Sequence, residues 1–199
     1  MSTNIHTEFH RFLNRHDKEV LLGQKGLAIW MCGLSGSGKS TIANATERVL
    51  HQQGRYTIIL DGDNIRSGLN NNLSFSDQDR LENIRRIAEI AKILIANGAI
   101  VFISAITPRG ELRDLARGII GEENLLEVYV QASFEACQKR DVKGLYAKAA
   151  KGEIANFTGQ ASSFEPPQFP DITLDTEVLS VEEAAIELVE KALPRIARE

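Results

Sequence analysis

Residues 33–41 read GLSGSGKST, which satisfies the spacing G-x-x-x-x-G-K-[ST] at Gly33, Gly38, Lys39 and Ser40. Glycines at this spacing let consecutive backbone N–H groups turn inward around a phosphate chain. A helix that starts at the end of the loop adds the positive end of its dipole. Lys39 is expected to reach the β- and γ-phosphates, and the Ser40 hydroxyl to ligate Mg²⁺. The chemistry on offer is binding of a nucleoside triphosphate with magnesium. The motif does not say who receives the phosphate.

The stretch LDGDNIRSGLNNNLSFS, residues 60–76, follows the apolar run YTIIL and is too polar to build a core. Asp61 and Asp63 stand one residue apart where a strand would deliver them to the edge that carries ligands in α/β sheets. One carboxylate can organise magnesium while the other accepts a proton from an attacking hydroxyl. Arg66 offers a charge to an anionic acceptor, and Phe75 offers a face to a flat ring. Arg80 and Asn83 share a helical face at i and i+3 and supply further donors. The stretch thus reads as a site for a small acceptor with a flat ring, a hydroxyl and negative charge. Taken singly, an aspartate here can equally cap a turn, and Phe75 can equally be a core residue.

These residues need a scaffold. LAIWMC (27–32), YTIIL (56–60), AIVFISAI (99–106), LLEVYV (125–130) and DITLD (171–175) are continuous apolar runs, as strands covered on both faces require. Helices are expected over about 39–53, 77–97, 110–120, 133–140 and 181–193. Ser76 and Ser180 have the form of N-caps, with Asp79 and Glu183 three residues on, and Asn97-Gly98 has the form of a helix C-terminus. The alternation implies an α/β fold of three layers around a mainly parallel sheet, with right-handed crossovers. We expect one domain over 1–199, with an N-terminal arm at 1–24 and a mobile insertion at 141–170, rich in Lys, Gly and Ala and then in Pro.

Lysine and arginine number 23 against 27 acids, a net charge of −4, so there is no global basic field of the kind nucleic-acid binding uses. No apolar run reaches the roughly 18 residues of a membrane span, and the N-terminus lacks a signal-peptide block. A cytoplasmic location is expected, with Cys32 and Cys137 as reduced thiols. His6, His10 and His16 read as part of a solvated arm rather than a metal site.

The run DGDNIRSGLN, continued by LSFSDQDRLENIRRIAEIAK, resembles adenylylsulfate kinase, a P-loop kinase family. So do LLGQKG before the first strand, GLSGSGKST, RDLAR (113–117), RDVKGLYAKAAKGEI (140–154) and FTG (157–159). The resemblance implies a P-loop nucleoside-triphosphate fold with a lid over 141–170. It implies transfer of phosphate from MgATP to the 3′-hydroxyl of adenosine 5′-phosphosulfate. The ATP site would comprise Gly33, Ser35, Gly36, Ser37, Gly38, Lys39, Ser40 and Thr41. Lys39, Asp61 and Asp63 would be catalytic. Arg66, Arg80 and Asn83 would hold the phosphosulfate and ribose, and Phe75 and Phe157 would sandwich the acceptor's adenine. Ile106 and Thr107 would touch the acceptor and Lys143 would close with the lid. A homodimer and a functional link to ATP sulfurylase are also implied.

Three places depart from the family's pattern. Thr107-Pro108-Arg109-Gly110 stands where Ser-Pro-Tyr-Arg is usual, Gln160-Ala161-Ser162-Ser163 with Phe164 replaces another run, and Ser74 replaces a glycine. Threonine could carry phosphate, but direct in-line transfer needs no such residue and is expected here. Two rival readings share the phosphate loop: a kinase for a sugar acid or another nucleoside, and a nucleotide-binding subunit without activity.

Overall fold

The computed structural model describes residues 6–154, 157–159 and 163–198. In chain order the elements are α1 (Arg15–Leu22), β1 (Leu27–Cys32), α2 (Lys39–Gln52), β2 (Thr57–Asp61), α3 (Gly62–Ser67) and α4 (Asp77–Ile95). There follow β3 (Ile100–Ser104), α5 (Gly110–Ile120), β4 (Leu125–Gln131), α6 (Phe134–Arg140), α7 (Leu145–Ala150), β5 (Ile172–Asp175) and α8 (Val181–Ile196). The five strands form one sheet in the order β2-β3-β1-β4-β5, and every pairing is parallel. Each expected strand and helix is present within a few residues of its expected bounds.

The continuous apolar runs follow from this architecture. Every residue of β1 and of β3 is buried, because helices cover both faces. On one face Ile29, Met31, Phe102 and Val128 pack against Ile42 and Leu50 of α2 and Leu188 and Ala192 of α8. On the other, Ala28, Trp30, Val101 and Ile103 pack against Ile84, Ile87 and Ala91 of α4 and Leu112 and Ala116 of α5. The expected caps form: Ser76 accepts from the Asp79 N–H, and Ser180 with Glu183 makes a reciprocal capping box.

The segment expected as an arm is only in part an arm. Residues 15–22 form α1, capped by the Asn14 side chain and closed by left-handed Gly23. Arg15 ties this helix down, donating to Glu19 at 2.7 Å, Asn124 at 2.6 Å and the Gly26 carbonyl at 2.7 Å. The buried Gln24 amide then joins the starts of two neighbouring strands. It donates to the carbonyls of Tyr56 at 2.9 Å and Gly98 at 2.8 Å, and accepts from the Tyr56 N–H at 2.8 Å. A helix with Leu21 85% exposed and Val20 54% exposed carries too little apolar period to be seen in sequence.

The insertion also has internal order. Tyr146 of α7 packs edge-on against Phe134 and Phe157 in a small apolar cluster with Leu34 and Cys137, beside the phosphate loop. Gln160, Ala161 and Ser162 lie outside the described residues. Ser163 is exposed, and Phe164 stacks on Tyr129 with ring centroids 6.0 Å apart. None of the helices among the described residues is long and apolar enough to cross a membrane.

Candidate active site

The phosphate loop joins β1 to α2 at the carboxyl edge of the sheet. Gly33 has φ 148°, and a Cβ there would lie 2.4 Å from the Val130 carbonyl oxygen, so glycine is required. Gly36 and Gly38 also take positive φ. Lys39 is buried, and its ammonium donates to the carbonyls of Gly33 at 2.9 Å and Leu34 at 2.7 Å. Burial pushes its pKa down to about 8. Among the described residues no carboxylate forms an ion pair with it, which suits it to an incoming polyanion.

Ser40 opens α2 and meets the end of β2. Its hydroxyl donates to Asp61 Oδ2 at 2.6 Å and lies 2.9 Å from the Ser104 hydroxyl at the end of β3. The other Asp61 oxygen caps α3, accepting from the N–H groups of Asp63 at 3.0 Å and Asn64 at 3.3 Å. Capping therefore accounts for one oxygen of Asp61 and leaves the second facing Ser40. Asp63, one step into α3, is exposed and forms an ion pair with Lys143.

Phe75 is 56% exposed, so it is not a core residue. The Arg66 guanidinium lies over its ring at 4.4 Å and that of Arg80 at 5.8 Å. Arg66 donates to the Ser74 carbonyl at 2.9 Å, and Arg80 to the Phe75 carbonyl at 3.0 Å and the Thr158 hydroxyl at 3.0 Å. Partial burial, and then the repulsion of Arg80, lowers the pKa of Arg66. Two like charges held around one exposed ring have the character of a site for an aromatic anion. Ser74 has a local role of its own: its hydroxyl donates to Asp79 and accepts from the Ser76 N–H at 3.2 Å.

The remaining expected residues are placed differently. Asn83 is buried, and its side-chain oxygen accepts from Asn70 at 2.9 Å, so it anchors the asparagine-rich turn. Phe157 is 8% exposed and packs edge-on against Tyr146 at 4.9 Å. Ile106 is half-buried, and its carbonyl accepts from the Gly33 N–H at 3.2 Å. Thr107 is 1% exposed, with its hydroxyl accepting from the Trp30 indole at 3.0 Å. The Thr107 hydroxyl is thus engaged in the core, at the turn that follows the third strand.

Three residues outside the expected set bind the phosphate loop from behind. The Tyr146 hydroxyl donates to the Ser35 carbonyl at 2.7 Å, and Thr176 donates to the Ser37 carbonyl at 2.9 Å. Arg140 holds Thr176 through its hydroxyl at 2.9 Å and its carbonyl at 2.7 Å. Tyr146 and Arg140 lie inside the run RDVKGLYAKAAKGEI, residues 140–154. Thr176 carried no signal, because a threonine after a short strand is unremarkable in sequence.

The profile of the Adenylylsulphate kinase family matches residues 25–175. The chain belongs to this family. Adenylyl-sulfate kinases of Bacteroides fragilis and Phocaeicola vulgatus are 55% and 56% identical to it over 197 and 195 residues, 99% and 98% of this chain and 98% and 96% of theirs. Among solved structures, the Mycobacterium tuberculosis APS kinase CysC in complex with AMPPNP and APS is similar with a TM-score of 0.81 and 43% identity. That match covers 84% of this chain and 97% of the other.

Proposed function

We propose that the chain transfers the γ-phosphoryl group of MgATP to the 3′-hydroxyl of adenosine 5′-phosphosulfate, giving 3′-phosphoadenosine 5′-phosphosulfate and ADP. The observation that carries this reading is the aromatic ring of Phe75 flanked by Arg66 and Arg80, on the sheet edge that also carries Asp63 and the phosphate loop. Relatives named adenylyl-sulfate kinase over essentially the whole chain support it.

In this reading residues 33–41 wrap the ATP phosphates with backbone N–H groups, and Lys39 leaves its two carbonyls for the β- and γ-oxygens. Phe75 stacks on the acceptor's adenine, worth roughly 1–3 kcal/mol per base. Arg66 and Arg80 neutralise its phosphosulfate, and Asp63 accepts the 3′-hydroxyl proton as the oxygen attacks in line. Lys143 occupies one oxygen of Asp63 and leaves the other to accept the proton, and the pair itself is weak. Both side chains are more than half exposed, at 66% and 54%, and exposed pairs are worth about 0–1 kcal/mol, so acceptor binding can break this one.

The oxygens of Ser40, Asp61 and Ser104 lie within 2.9 Å of their neighbours, a hard-donor set that fits Mg²⁺. When bound, the ion would supply positive charge against the negative charge that develops on transfer. Ser40 and Asp61 would hold it, while Asp61 keeps its cap on α3.

The same reading makes 1–199 one kinase domain with segment 141–170 as its lid. Tyr146 and Lys143 tie that segment to both the phosphate loop and Asp63. A closed lid excludes water and protects ATP from hydrolysis. We further propose a cytoplasmic homodimer that takes its acceptor from an ATP sulfurylase. A coupled assay for ADP release across a panel of acceptors tests the function. Release should depend on adenosine 5′-phosphosulfate, and equal release with a sugar acid or with no acceptor would overturn the reading.

A further inference from the structure

The turn between β3 and α5 is strained. Thr107 has φ 45°, is β-branched and precedes Pro108, three conditions that each disfavour its backbone conformation. Such conformations cost energy and persist only where the surroundings over-determine them. Here they do. The indole N–H of Trp30 donates to the Thr107 hydroxyl at 3.0 Å, and that hydroxyl donates on to the Ala105 carbonyl at 3.3 Å. Arg113 donates to the Thr107 carbonyl at 3.1 Å and is itself paired with buried Glu127 at 3.2 Å. On the far side of the turn the Pro108 carbonyl accepts from the Glu165 N–H at 2.7 Å, and the Glu165 carboxylate accepts from the Gly110 N–H at 2.8 Å.

The turn reaches the phosphate loop through Ile106. Just before Thr107, the Ile106 carbonyl accepts from the N–H of Gly33, the first glycine of the phosphate loop, at 3.2 Å. The conformation at Thr107 therefore sets where the end of β3 meets the donor's cradle. We propose that Trp30 is a positioning residue for phosphoryl transfer: through the Thr107 hydroxyl it holds the strained turn that fixes the phosphate loop relative to the acceptor edge. Trp30 touches neither substrate in this account. It acts because transfer geometry is far less tolerant of displacement than binding is.

This inference rests on the kinase reading above, and the test separates the two. Thr107→Val keeps the shape and deletes the hydroxyl, Thr107→Ser keeps the hydroxyl, and Trp30→Phe deletes the donor. Each is assayed for kcat and for ATP affinity well below its own melting temperature. Thr107→Val should lower kcat about tenfold with ATP affinity within about threefold, since ATP contacts are spread along the loop. Thr107→Ser should recover at least half of the lost rate. The Trp30→Phe, Thr107→Val double variant should be no slower than the slower single one, because both delete the same bond. A Thr107→Val kcat within twofold of the parent would overturn the proposal, as would failure of Thr107→Ser to recover rate, or multiplying effects in the double variant. If Thr107→Val does not fold, Trp30→Phe alone decides by the same kcat criterion. No acceptor-dependent ADP release from the parent would instead defeat the kinase reading.

Discussion

The Lys143 ammonium rests on the Asp63 carboxylate, joining residues 80 positions apart and tying the insertion to α3. The pair engages one carboxylate oxygen, so a proton can be taken by the other, or by the same one once the pair opens. Asp63→Asn keeps the shape and removes the proton acceptor. We expect kcat to fall by about 10²–10⁴ with a much smaller change in the KM for the acceptor. Steady-state kinetics with both substrates varied decide it, and a change confined to KM would make Asp63 a binding residue.

Lys39 should give ATP binding a characteristic pH dependence. Its pKa in the free protein is pushed down to about 8 by burial, and bound phosphates would raise it again. The sign follows: affinity is full below about pH 8 and falls as pH rises above it, and binding near pH 8 takes up protons. Calorimetry in buffers of different ionisation enthalpy measures that uptake directly. Lys39→Met should abolish it and slow transfer by about 10²–10⁴. Uptake that persists in Lys39→Met would assign the proton elsewhere.

The sheet, its covering helices and the phosphate loop were legible because each leaves a periodic or spaced pattern. Continuous apolar runs such as LAIWMC and IVFIS mean burial on both faces, and the glycine spacing at 33–38 means a cradle. The short helices α3 and α7 span six residues each and were not legible. GDNIRS has no apolar period, and its helix exists because Asp61 caps it. The same limit applies within the site. Asp61, Asp63, Arg66 and Phe75 announce themselves as polar or aromatic residues out of place. Trp30 reads as one more apolar residue of a strand, and only the fold shows its N–H on Thr107.

Thr107 should carry no phosphate at any point in turnover. Its hydroxyl is buried and engaged by Trp30 and Ala105, which disfavours its attack on a γ-phosphoryl group. Incubation with labelled ATP, with and without acceptor, should yield no phosphothreonine. Stoichiometric label at Thr107 that chases into product would require the turn to open and would overturn direct transfer.

The two aromatic residues expected to clasp the adenine should behave differently from one another. Phe75 is 56% exposed, whereas Phe157 is 8% exposed and packed on Tyr146. Phe75→Ala removes a stacking face and little packing. It should weaken adenosine 5′-phosphosulfate by about 5- to 150-fold, the equivalent of roughly 1–3 kcal/mol, with the melting temperature nearly unchanged. ATP should be less affected, since its phosphates sit in a separate cradle. Phe75→Trp should keep most affinity, because it retains a π-face beside Arg66. Phe157→Ala instead leaves a hole in the cluster of Tyr146, Phe134 and Leu34, where a buried Phe truncation costs about 3–5 kcal/mol. That cluster carries Tyr146, which holds the Ser35 carbonyl. Its loss should therefore lower ATP affinity as well as acceptor affinity, and lower the melting temperature. Titrating each nucleotide separately against both variants, with a melting curve on the same samples, distinguishes the two roles. Equal loss of both ligands in Phe75→Ala would remove Phe75 from the acceptor site, and unchanged ATP binding in Phe157→Ala would show that the cluster does not brace the phosphate loop.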